Sequence, residues 1–170
     1  MNETENFDTF QAETLVSCKG LTKMYGSKIA LKGLDLELER GRIIGLLGPN
    51  GSGKTTLIKM ISGLLTPTSG SLSVSGKNIG IETKKIVSYL PERTYLSDWM
   101  NVKQMVEFFT DFYTDFRPER AYDMLEKLGI NVNDKLKTMS KGTREKVQLI
   151  LVMSREAELY LLDEPIGGVD

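Results

Sequence analysis

The stretch Gly48-Pro49-Asn50-Gly51-Ser52-Gly53-Lys54-Thr55 satisfies the pattern G-x-x-x-x-G-K-[S/T] at every defined position. No other stretch limits so strongly what the chain can become. Its glycines let the backbone curl until successive N–H groups converge on phosphate oxygens with no Cβ in the way. The continuous apolar run Ile43-Ile44-Gly45-Leu46-Leu47 before it suits a fully buried strand. A helix is expected from Lys54 to Ser62, and its positive N-terminal end would add to the anion site. In that setting Lys54 would neutralise β- and γ-phosphates, and the Thr55 hydroxyl would ligate Mg²⁺.

The rest of the chain reads as elements around this loop. Leu34, Leu36 and Leu38 alternate with acids, which predicts a half-buried strand. Ser69 to Gly80 reads as a hairpin or short edge strands, and Ile86 to Leu90 as a buried strand closed by Pro91. Helical spacing then takes over. Val102, Met105, Val106, Phe109 and Tyr113 follow Asn101 at helix period. A second helix has Pro118 near its start, Ala121, Met124, Leu125 and Leu128 on one face, and Gly129 at its end. A third is expected from Thr143 through Arg155. Residues from 98 to about 155 thus look like a helical lobe inserted between strands, within one domain spanning 15–170. Residues 1–14 hold four acids and no Lys or Arg, an acidic tail expected to be flexible.

Leu159 to Leu162 predicts a last buried strand, ending directly in Asp163 and Glu164. Behind a phosphate loop, a carboxylate at such a strand end lies close to the Mg²⁺ ion. Asp163 would hold the metal, through water, and Glu164 would orient or deprotonate the attacking water. The alternative is an acidic turn on the surface. The sequence contains no His, so the commonest general base is excluded and catalysis falls to carboxylates, Lys, Tyr or a bound metal. A formal net charge of −1 supplies no field for nucleic acid or an anionic membrane. One cysteine, Cys18, excludes an intramolecular disulfide and fits a reducing compartment. The N-terminus lacks the basic start and apolar stretch of a signal peptide, and no apolar run is long enough to span a bilayer.

Met139-Ser140-Lys141-Gly142-Thr143, upstream of Leu161-Leu162-Asp163-Glu164-Pro165, resembles the signature and Walker B motifs of the ATP-binding cassette (ABC) ATPases. Gly168-Val169-Asp170 resembles their D-loop, Tyr25 their aromatic A-loop residue, and Leu90-Pro91-Glu92 stands where they have a Q-loop. The resemblance runs from Leu15 to Asp170, in order. It implies an α/β fold: a P-loop core with a mostly parallel sheet, an antiparallel β portion on the N-terminal side, and a helical lobe bearing the signature. It implies that Asn50, Gly51, Ser52, Gly53, Lys54, Thr55 and Thr56 bind the phosphates of ATP. Ser140 and the Gly142 N–H would form an anion site for the γ-phosphate held by the opposite subunit of a head-to-tail dimer. Tyr25 would stack on adenine, or is a surface aromatic at a turn. Glu92 replaces the usual Gln. It either supports Mg²⁺ with an oxygen or is a solvated loop acid, and unlike Gln it cannot donate a hydrogen bond.

The function implied is ATP binding and hydrolysis driving transport through a separate membrane permease, at the cytoplasmic face of the membrane, with no nucleic-acid partner. The alternatives are a soluble ABC ATPase acting on ribosomes or nucleic acid, and a nucleotide-dependent binding module without turnover. Family members continue past the D-loop to a switch His. This chain is therefore expected to be C-terminally incomplete, to associate through an exposed edge or apolar face, and to bind nucleotide weakly without turnover.

Overall fold

The computed structural model describes residues 13–164. The acidic residues Glu3, Glu5 and Asp8 and the D-loop stretch Gly168–Asp170 lie outside them. Two long strands, β1 (Thr14–Tyr25) and β2 (Lys28–Glu39), form a hairpin turned by Gly26 and Ser27. The alternation of Leu34, Leu36 and Leu38 is realised in β2, each half-buried between exposed acids. Glu13 also belongs to this frame: its carbonyl accepts from Arg40 N–H and its carboxylate pairs with the Arg40 guanidinium at 3.1 Å. β3 (Ser69–Val74) pairs with the other edge of β1, and β4 (Lys77–Asn78) closes the antiparallel sheet in the order β2-β1-β3-β4. β5 (Val87–Leu90) and β6 (Leu159–Leu162) form a separate parallel pair, with Tyr89 opposite Leu161 and Leu90 opposite Leu162.

Helix α1 (Lys54–Ile61) buries Leu57, Met60 and Ile61, the i, i+3, i+4 stripe of an amphipathic helix. That stripe joins Val16, Cys18, Leu21, Leu72 and Val74 of the sheet to Val87 and Leu161 of the parallel pair in one core. The short helix α2 (Ile81–Ile86) leads into β5, its start held by reciprocal bonds between Gly80 and Thr83.

A second core is helical. α3 (Val102–Phe112) begins at a capping box in which Asn101 and Gln104 satisfy each other's backbone N–H. It packs with α4 (Pro118–Lys127) and α5 (Lys141–Met153) around Phe109, Leu125, Leu136, Val147 and Leu151. Two buried polar residues join this core to the parallel strands. Ser88 donates to the Val152 carbonyl at 2.9 Å. Arg155, 4% exposed, pairs with Asp115 and donates to the carbonyls of Val87 at 2.8 Å and Lys85 at 2.9 Å.

Three expectations are corrected. Ile43 to Leu47 forms no strand: Ile43 is 105% exposed and Leu47 93%. An apolar run becomes a buried strand only with a ladder partner and cover on both faces. Among the described residues, β6 pairs with β5 alone, and nothing pairs with 43–47. Leu128, expected on the apolar face of α4, is exposed, because the helix ends at Lys127 and Gly129 turns the chain with φ of 65°. Finally, α5 starts at Lys141 and ends at Met153, so Arg155 lies beyond it. The Ser140 side chain accepts from Thr143 N–H at 3.1 Å and thereby sets the earlier start.

Candidate functional site

The loop from Gly48 to Gly53 enters α1 through a left-handed Gly53, φ 95°. Only glycine serves here: a Cβ on Gly53 would stand 2.6 Å from the Ala30 carbonyl of β2. The loop is therefore seated against β2, close to the hairpin end where Tyr25 pairs with Lys28. Tyr25 is half exposed, with the Lys23 ammonium 5.3 Å from its ring centre. Tyr25 thus ends the strand next to the one that seats the loop, with a cation over its ring.

The Lys54 ammonium donates to the Gly48 carbonyl at 2.6 Å and the Pro49 carbonyl at 3.0 Å. It ties off the loop from within and keeps one further N–H, since an ammonium has three. Ser52 N–H donates to the Pro49 carbonyl at 3.2 Å and tightens the turn. The loop's remaining amides, with the first turn of α1 behind them, form a concentration of unpaired donors suited to an anion.

The acidic half comes from β6. Asp163 N–H donates to the Leu90 carbonyl at 2.9 Å, which extends the parallel ladder and fixes where the side chain projects. That side chain is 3% exposed, and Oδ1 accepts from the Thr55 hydroxyl at 3.0 Å. Among the described residues, Oδ2 is buried with no hydrogen-bond partner. An unsatisfied buried carboxylate oxygen costs about 1–3 kcal/mol or more, and such costs concentrate at functional sites. A hydrated divalent cation fits this pair: Thr55 supplies a hydroxyl oxygen and Asp163 an anionic one, both hard ligands.

Glu164 follows with φ 51°, a conformation uncommon for a non-glycine residue and often found where function demands it. Glu92, Thr94, Glu145, Gln148 and Glu164 line one small cavity beneath Leu90 and Pro91. The structure therefore brings Glu92 and Glu164 together, on the side of the parallel pair where Asp163 meets Thr55. Nearby, burial pushes the Tyr89 hydroxyl up to about 12, with the carboxylates of Asp163 and Glu92 acting the same way. This phenol stays protonated at neutral pH. Ser140 and Gly142 stand at the start of α5, where the Ser140 hydroxyl bonds Thr143 and the Ser140 carbonyl accepts from Arg144 N–H. No hydrogen bond links either residue to the phosphate loop among the described residues. Asn50, Gly51 and Ser52 are exposed on the loop, and Thr56 lies half-buried in the first turn of α1.

Two residues of this region escape sequence reasoning. Gln148 is 3% exposed and bonds the loop that carries Glu92. Arg155 locks that region to β5. Each is a polar residue in or just after the apolar run Val147–Met153, the one local sign that a buried polar contact awaits.

A glycine loop holding its own lysine, opposite a strand-end carboxylate bonded to the loop's threonine, defines a P-loop nucleotide-binding protein. The family follows from comparison: the ABC transporter family model matches residues 31–167, and the chain belongs to that family. It is 38% identical over 168 residues to the uncharacterized ABC transporter ATP-binding protein YdbJ of Bacillus subtilis (strain 168), covering 94% of this chain and 53% of that protein. It is 34% identical to the linearmycin resistance ATP-binding protein LnrL of the same organism, covering 92% of this chain and 53% of that protein. A solved structure described as the ATP binding subunit of an ABC transporter superposes with a TM-score of 0.82 at 29% identity, covering 92% of this chain and 69% of that one. The chain thus spans about half the length of the curated relatives it matches.

Proposed function

We propose that this chain is the Mg-ATP-binding part of an ABC ATPase that hydrolyses ATP to drive a separate membrane permease. The observation that carries the reading is the Thr55–Asp163 hydrogen bond with Asp163 Oδ2 left unpartnered beside the lysine-bearing loop. The loop amides and Lys54 bind the triphosphate, and Tyr25 stacks on the adenine. Thr55 and Asp163 hold Mg²⁺, with Glu92 contributing an oxygen from the facing loop. When bound, the metal neutralises phosphate charge. Glu164, next to Asp163 at the end of β6, orients the attacking water and accepts its proton.

Residues 98–155 act in this reading as the signature-bearing lobe. Ser140 and the Gly142 N–H meet the γ-phosphate of a second ATPase subunit in a head-to-tail dimer, at the N-terminal end of α5. No helix among the described residues is long and apolar enough to cross a membrane.

The metal assignment predicts opposite outcomes for two substitutions of one residue. Glu92→Ala should raise the Mg²⁺ concentration needed to bind a fluorescent ATP analogue, by about tenfold for a lost ligand or bridging oxygen. Glu92→Gln should behave nearly as wild type, because an oxygen remains. Identical Mg²⁺ titrations for wild type and Glu92→Ala would return Glu92 to a solvated loop acid.

A further inference from the structure

We propose that Gln148 is a positioning residue for Glu92, bracketing its loop from helix α5. This rests on the reading of Glu92 as a metal-supporting carboxylate. The Gln148 Oε1 accepts from the Tyr95 N–H at 3.2 Å, and Nε2 donates to the Pro91 carbonyl at 3.5 Å. These two partners flank Glu92 in a segment that belongs to no helix or strand. A single amide therefore sets both ends of the turn that presents the carboxylate.

The chemistry requires glutamine. Its side chain offers a donor and an acceptor about four bonds from the backbone; Glu lacks the donor, Lys the acceptor, and Met or Leu both. Gln148 sits among Val147, Ile150 and Leu151, all buried, where an unpaired amide would be costly. The surrounding helix face is apolar, so packing alone would favour an apolar residue at this position. The amide is explained by the loop it holds.

The same helix is capped by Ser140, eight residues earlier, or about 12 Å along the axis. Gln148 thus fastens the Glu92 loop to the helix that Ser140 caps. Arg144 adds a second, more exposed tie to Asp98 at 3.0 Å.

The test is a Mg²⁺ titration of fluorescent ATP-analogue binding, with Mn²⁺ binding followed in parallel by electron paramagnetic resonance. The variants are Gln148→Met, Glu92→Ala and their combination. Gln148→Met keeps length and volume, and thermal melting checks that it folds. The Mg²⁺ midpoint is expected to rise about tenfold in each single variant and no further in the double variant, because both remove one function. An unchanged midpoint in folded Gln148→Met, or shifts that multiply in the double variant, would overturn the role of Gln148 while leaving Glu92 standing. An unchanged midpoint in Glu92→Ala would overturn both. Should Gln148→Met fail to fold, Gln148→Asn keeps a donor and an acceptor but is one methylene too short to reach both Pro91 and Tyr95. Its midpoint is expected to rise toward that of Glu92→Ala, and a wild-type midpoint would again overturn the proposal.

Discussion

Replacing Arg155 with leucine is expected to remove about 3–5 kcal/mol of folding stability, the usual cost of breaking a buried ion pair by deleting one partner. The guanidinium uses its whole fork. Nε reaches Asp115 at 3.1 Å and Nη2 reaches it at 3.0 Å, while Nη1 and Nη2 donate to the carbonyls of Val87 and Lys85. Its plane also lies over the Tyr113 ring, 4.1 Å from the centre. With leucine there, Asp115 and two backbone acceptors lose their donors together. Lysine should recover only part of the loss, because a point charge cannot reproduce a planar fork. Urea unfolding of wild type, Arg155→Leu and Arg155→Lys measures this directly. A loss below about 1 kcal/mol for leucine would place the pair among ordinary surface contacts. The effect should extend to function, since Val87 opens the strand whose far end, Leu90, anchors Asp163.

Glu164→Gln should separate binding from turnover. In a form of the protein that hydrolyses ATP, the rate should fall by about 10²–10⁴-fold, the contribution of a positioned general base. Nucleotide affinity should stay within about twofold, because Gln keeps the size of the side chain and an oxygen but is uncharged and cannot take a proton. The structure supports the assignment by placement. Glu164 adjoins Asp163, the proposed metal ligand, occupies a left-handed backbone position, and shares a cavity with Glu92. Phosphate release and equilibrium binding, measured side by side, check the split. Hydrolysis at the wild-type rate would remove Glu164 from the base role.

What the sequence made legible was local. The Leu34–Leu38 alternation, the helical period that follows Asn101, and the Pro118 and Gly129 limits of α4 each depend on neighbours within a few residues. The order of motifs likewise located the loop and the strand-end acids. What stayed hidden depends on distant partners. Ile43 to Leu47 carries a strand-like composition, but strand formation needs an edge to pair with, and composition names no edge. α2 is six residues long and buries only Thr83, too little for a period to show. Gln148 and Arg155 read as a polar interruption and a trailing base. Their roles come from contacts 53 and 40 residues away in sequence.

The Gly48–Thr55 loop and Asp163 are proposed to form a Mg-nucleotide site. A titration of the 170-residue chain with a fluorescent ATP analogue, with and without Mg²⁺ and alongside Lys54→Ala, tests it most directly. Saturable, Mg²⁺-dependent binding is expected for the wild-type chain. Affinity should fall roughly a hundredfold or more in the variant, as charge-assisted bonds to two phosphates are lost. Equal binding by both proteins, or no dependence on Mg²⁺, would contradict the account.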